Sequence, residues 1–166
     1  MLSKADNELL THVEGDAPMG RMLRANYWFP FLRSQRLERD GAPVRVRLLG
    51  QNYVAFRATD RRVGFFQENC PHRGVSLALA RNEENGLRCI FHGWKFSIDG
   101  VCTDTPTEPA DRRGEFCKRV PLRHYPVREA GGMVWVYLGR RATPPKFFDF
   151  EFHQPPADAL NMLQPQ

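Results

Sequence analysis

Cys70-Pro71-His72-Arg73-Gly74 and Cys89-Ile90-Phe91-His92-Gly93-Trp94 are the stretches on which the reading of this chain turns. Each carries one thiol and one imidazole, and sixteen residues separate His72 from Cys89. Four donors in two mixed loops suit a [2Fe-2S] centre in which one iron takes two thiolates and the other two imidazoles. Each loop then gives one ligand to each iron. Cys70 and Cys89 are assigned to the inner iron, and His72 and His92 to the outer one, nearer solvent. Such a centre carries single electrons.

Replacing two thiolates by neutral imidazoles makes the centre less negative. That raises its potential to roughly −150 to +300 mV, against about −400 mV for all-Cys plant-type clusters. A ligand imidazole can also exchange its second ring proton, so reduction is predicted to depend on pH. A structural zinc ion is the competing use of two Cys and two His. Zinc sites usually keep like ligands together, with about two to four residues inside the Cys pair and about three to five inside the His pair. Here each loop mixes the two types.

Gly74 and Gly93 stand where backbone must approach sulfide and offer N–H donors. Arg73 and Lys95 are candidates for stabilising negative charge or meeting a partner, with ordinary surface charge the plain alternative. Trp94 is expected to dry the centre by packing, electron relay being the rival role, and Pro71 shapes its loop. His12, His124 and His153 have no partner donor at metal spacing and read as structural or exposed.

The strings CPHRG at 70–74 and CIFHGW at 89–94 resemble the two cluster loops of Rieske proteins. Four further strings, MLSKADNELL, GRMLRANYWFP, PVRVRLLGQNYVAFR and YPVREAGGMVWVYLG, resemble the phthalate 4,5-dioxygenase-like branch of the ring-hydroxylating Rieske non-haem iron oxygenases. The likeness extends from residue 1 to about 139. It implies an all-β Rieske fold of stacked antiparallel sheets with a short N-terminal helical extension. The domain would span 1–140, with a cluster-binding subdomain near 68–98. Residues 141–166 would be a tail or linker toward a catalytic domain absent from this chain.

In that family the further domain binds a mononuclear Fe(II) through two His and a carboxylate, leaving iron positions open for dioxygen. After Gly139 this chain has only His153 and no such set. It is therefore expected to hold no catalytic residue of its own, and mononuclear Fe(II) enters only with a catalytic domain or partner subunit. The resemblance implies electron transfer from an NAD(P)H-dependent flavin/iron–sulfur reductase to that iron, in aromatic ring hydroxylation or O-demethylation. Family members often form homotrimers in which the cluster of one subunit serves the iron of its neighbour. His72 or His92 would then hydrogen-bond a carboxylate of the adjacent catalytic domain. The alternative is a free-standing Rieske ferredoxin, although such carriers are usually shorter and lack an extension like 1–31.

With 166 residues, 42% of them apolar, the chain is long enough to bury a core as one domain. No apolar run approaches the ~18 residues of a membrane span, and the N-terminus does not read as a signal peptide, so cytoplasm is the default. Cys102 and Cys117 are expected to be free, buried thiols. The formal charge of +5, from 24 basic and 19 acidic residues, is dispersed. Without a base-stacking aromatic platform it argues against nucleic acid and for an acidic redox partner.

Ser3 and Asp6 predict a capped N-terminal helix ended by Gly15 and Pro18, and a second helix is expected over 20–27, stopped by Pro30. Val44, Val46 and Leu48 alternate with Arg45 and Arg47, the period of a half-buried strand. Gly50-Gln51-Asn52 reads as a turn into a partner strand at 53–57, and a further strand is expected over 63–67. Leu77 and Leu79 are expected to pack, 82–86 to turn, and 87–90 and 94–97 to be strands flanking the second loop. Asp99-Gly100 marks a turn and 104–114 a loop. Strands follow at 117–120, 125–129 and 133–138, the last two joined by Gly131-Gly132. The aromatic run Phe147, Phe148 and Phe150 is expected to leave an exposed apolar tail.

Overall fold

The computed structural model describes residues 2–154 and divides the chain into two compact units. Unit Leu37–Tyr125 carries both candidate loops. Its first sheet is an antiparallel meander of β2 (Val44–Leu48), β3 (Gln51–Arg57) and β4 (Val63–Gln67), in that order. In β2 the arginines face out while Val46 is buried. The central strand has Tyr53, Val54, Ala55 and Phe56 all buried, as a strand covered on both faces requires.

The second sheet is a four-stranded antiparallel ladder of β5 (Arg81–Glu83), β6 (Gly86–Arg88), β7 (Lys95–Ser97) and β8 (Cys102–Asp104). A short helix, α3 (Arg113–Cys117), follows it. One apolar core joins the two sheets. Phe56, Phe66, Leu87 and Phe96 are fully buried in it, and it includes Cys70 and Cys89. The loops that carry the four candidate donors are thus anchored in this core through their cysteines.

The other unit takes Met1–Arg36 with Pro126–Gln166. Helix α1 (Lys4–Thr11) begins at Ser3, whose hydroxyl accepts the Asp6 amide hydrogen. Helix α2 (Pro18–Asn26) leads into β1 (Trp28–Arg33). That strand pairs with β10 (Met133–Tyr137), which pairs with β9 (Val127–Ala130), all antiparallel. Phe147 packs edge-on against Trp28 and Trp135, while Phe148, Phe150 and Phe152 stay exposed.

The all-β class and the N-terminal helices hold, and no helix among the described residues is long and apolar enough to cross a membrane. Several boundaries differ from the sequence reading. Pro18 opens α2 instead of closing α1, because a first-turn proline loses no helical hydrogen bond. Pro30 lies inside an unforeseen strand, tolerated because β1 is a sheet edge and its register slips between Pro30 and Leu32. The first hairpin turns at Leu49-Gly50, so Gln51 already pairs with Leu48. Leu79 is 61% exposed where packing was expected. Ile90 lies outside β6, β8 was not foreseen, and Cys117 ends a helix instead of starting a strand. The 3-residue strands here offer too short a period to read.

Candidate metal centre

The two loops are built alike despite their different Cys-to-His gaps. In the first, the Cys70 N–H donates to Val75 O at 2.9 Å and the Gly74 N–H to Cys70 O at 2.9 Å. In the second, the Cys89 N–H donates to Trp94 O at 2.9 Å and the Gly93 N–H to Cys89 O at 3.0 Å. Each loop therefore closes on its cysteine four and five residues later. The closing glycines have φ of +72° and +76°, a conformation glycine adopts without strain.

These closures bring like donors together. The Cys70 and Cys89 thiols are both buried and near enough for Cys89 to act on the ionisation of Cys70. Burial, reinforced by the neighbouring Cys89 sulfur, pushes the Cys70 thiol up to about 11, although the backbone N–H groups of His72 and Arg73 directed at its sulfur pull the other way. Those N–H groups favour a thiolate, and metal cations would supply the rest of the charge that burial withholds. The His72 and His92 rings lie with centroids 4.5 Å apart and are half-buried, nearer the surface than the thiols. Burial, then His92 and Arg73, lower the His72 pKa, with Glu108 opposing.

The Nδ1 atom of His72 is buried with no hydrogen-bond partner among the described residues. A buried nitrogen in that state calls for a ligand. Among the described residues no three His, Cys, Asp or Glu side chains converge as they would on one ion. The donors are grouped instead as a deep sulfur pair and a shallower nitrogen pair. That donor set fits a two-iron cluster with one iron on each pair.

Charged braces hold both loops from below. Glu68 is only 6% exposed; its carboxylate lies 2.6 Å from Arg45 Nε and accepts the Ser76 hydroxyl at 2.5 Å. Burial pushes that carboxyl up, but the Ser76 and Arg45 hydrogen bonds outweigh it and hold it below its ordinary value. The Leu77 N–H donates to Glu68 O at 2.8 Å, fixing the far end of the same loop. Arg88, beside Cys89, donates to Glu83 at 2.6 Å, to Asp104 at 2.9 Å and to Gly93 O at 2.8 Å.

Of the neighbours singled out from sequence, Trp94 lies against the site: its indole stacks on His72 at 4.3 Å and 8°. Arg73 is exposed, and its backbone N–H is what reaches Cys70. Lys95 is buried, its ammonium paired with Glu84 of the β5–β6 turn. His12 and His124 are exposed, and His153 sits among Trp135, Phe147 and Phe150. Sequence reasoning passed over Glu68 and Arg88, because single polar residues show no period. The one available signal was a charged residue shortly before each cysteine, Glu68 two positions ahead of Cys70 and Arg88 directly ahead of Cys89.

A unit of two antiparallel sheets presenting a sulfur pair beneath a nitrogen pair on twin loops fits a mixed-ligand iron–sulfur protein. The chain belongs to the Rieske [2Fe-2S] domain family, whose match covers residues 27–126. It is 46% identical over 159 residues to the 3-chlorobenzoate-3,4-dioxygenase oxygenase subunit of Comamonas testosteroni, covering 95% of this chain and 36% of that protein. It is 49% identical over 148 residues to the phthalate 4,5-dioxygenase oxygenase subunit of Pseudomonas putida, covering 89% and 33%. Among solved structures it is similar to an oxygenase–ferredoxin complex of carbazole 1,9a-dioxygenase, with a TM-score of 0.64 at 32% identity, over 84% of this chain and 36% of that one. The chain thus spans about a third of the length of the curated relatives it matches.

Proposed function

We propose that Cys70 and Cys89 hold the inner iron and His72 and His92 the outer iron of the [2Fe-2S] cluster, and that the chain passes single electrons through it. The observation that carries this reading is the two-and-two grouping, with two thiols buried together and two imidazoles 4.5 Å apart above them. The cluster supplies a one-electron couple at a potential set by its ligands and surroundings. The protein's part is to hold the thiols in apolar packing, aim backbone N–H groups at Cys70, and keep the imidazoles within reach of the surface. Exposed Ile90 and Phe91 beside His92 give that surface an apolar rim.

In this reading the chain is the electron-accepting domain of an aromatic ring-hydroxylating or O-demethylating oxygenase component, with residues 141–166 leading toward a catalytic domain that holds mononuclear Fe(II). An NAD(P)H-dependent flavin/iron–sulfur reductase, directly or through a ferredoxin, would supply the electrons. A homotrimer would place each cluster beside a neighbour's catalytic iron. We place the protein in the cytoplasm, a compartment in which Cys102 and Cys117, with sulfurs 3.3 Å apart, would stay reduced.

Metal and sulfide analysis with an EPR spectrum of the dithionite-reduced protein tests the reading. Two irons, two sulfides and a Rieske-type signal per chain are expected. Stoichiometric zinc with no reducible chromophore in anaerobically prepared protein would overturn it.

A further inference from the structure

Trp94 does more than cover the site. Its indole lies parallel to the His72 ring at 4.3 Å and 8°, and its Nε1–H donates to Thr107 Oγ1 at 3.0 Å. Thr107 belongs to neither cluster loop. It sits in a turn closed by the Glu108 N–H donating to Thr105 O at 2.9 Å, with Pro106 inside that turn. Thr105 is fully buried, so the turn is rooted in the core. The Pro106 ring stands where a side chain at Gly93 would have to go, and Phe116 of α3 meets the Trp94 ring edge-on at 5.5 Å and 80°.

An indole held at its N–H and on its ring has little freedom to tilt, and a parallel ring stacked on it inherits that orientation. The unpartnered, buried Nδ1 of His72 is the atom whose aim is thereby fixed. We infer that Thr107, acting through Trp94, is a positioning residue for the cluster: it sets the orientation and dryness of the His72 ring and so tunes the reduction potential. The inference rests on the assignment of His72 as an iron ligand.

The test uses holoprotein with Thr107→Val and Thr107→Ala, which remove the acceptor, Trp94→Phe, which keeps a ring but not the N–H, and Thr107→Ser, which keeps the hydroxyl. Iron and sulfide content are checked first, and the midpoint potential and EPR anisotropy are then measured. Reduction adds a negative charge, and water admitted beside His72 stabilises it. Thr107→Val, Thr107→Ala and Trp94→Phe are each expected to favour reduction by up to about tenfold, an upward shift of up to about 59 mV for one electron. Their EPR signals should shift in the same sense, and Thr107→Ser should match the wild type. Wild-type potential and spectrum in whichever acceptor-free variant carries a full cluster would overturn the inference. A wild-type protein without a Rieske-type signal would instead sink the ligand assignment.

Discussion

Arg88 stands one residue before Cys89 and binds three groups at once: the carboxylates of Glu83 and Asp104 and the carbonyl of Gly93. Its side chain is only 18% exposed, so these bonds are largely shielded from water. Replacing it by Met removes the cation that Glu83 and Asp104 share, leaving them only the longer 3.5 Å pairs with Arg81 and Arg113. A loss of about 2–3 kcal/mol in denaturant unfolding is expected, with faster loss of iron to a chelator. Arg88→Lys should recover only part of this, since an ammonium cannot span the same fork. A full recovery would show that charge alone matters.

The two loop glycines separate strain from crowding. An added Cβ at Gly74 meets nothing within 4 Å, so Gly74→Ala carries only the cost of a positive φ, about 1–2 kcal/mol. At Gly93 the same Cβ would come within 3.2 Å of Pro106 Cγ. Gly93→Ala is therefore expected to cost more than Gly74→Ala and to disturb the 105–108 turn that holds Trp94. Equal unfolding midpoints and equal iron retention in the two variants would contradict that ordering.

At the scale of elements, the turn between β3 and β4 contains an ion pair whose titration can be followed. The Arg62 guanidinium, 2.8 Å from Asp60 Oδ2, holds the Asp60 carboxyl below its usual range. A lowered folded-state pKa means stability that is present above the unfolded value of about 3.9 and lost as pH falls through the folded one. The Arg62 side chain is 57% and the Asp60 side chain 33% exposed, so water screens the pair and it contributes only about 0.2–1 kcal/mol. Asp60→Asn should lower stability by that amount at pH 7, and the gap to wild type should shrink as pH approaches 3. A gap that does not vary with pH would exclude this pair as its source.

Elements of five or more residues with a clear period were legible in sequence. Val44, Val46 and Leu48 announced β2, and Ser3 with Asp6 announced α1. The four candidate donors could be picked out as well, since Cys and His at fixed gaps point to a chemistry without any packing, and their ligation of the cluster is the proposal made above. What the sequence hid were contacts made across the fold. Cys117 lies at the end of α3 because Phe116 and Cys117 pack against Trp94 and Cys102, a tertiary effect that its own neighbours do not encode. Pro30 reads as a stop only until β10 is known to lie on one side of its strand with, among the described residues, no strand paired on the other. Thr107 becomes meaningful only when Trp94 is seen to reach it.

For the molecule as a whole, the formal charge of +5 predicts that encounter with an acidic redox partner is electrostatically assisted. Stopped-flow reduction of the protein by such a carrier should therefore slow as ionic strength rises, with little change in the cluster's own potential. A rate that is flat or rises with salt would remove charge from the account of partner choice. Two units carry the chain, and only Leu37–Tyr125 holds the donors, so loss of the cluster should follow changes in that unit's core and loops.

The central claim is that two imidazoles and two thiolates divide the ligation of one cluster. Pulsed EPR of the reduced protein, with and without 15N-labelled histidine, tests it most directly. The account predicts strong couplings to two histidine nitrogens, one of which disappears in His92→Cys without loss of the paramagnetic centre's iron and sulfide. A reduced cluster with no histidine coupling, or one unchanged by His92→Cys, would contradict it.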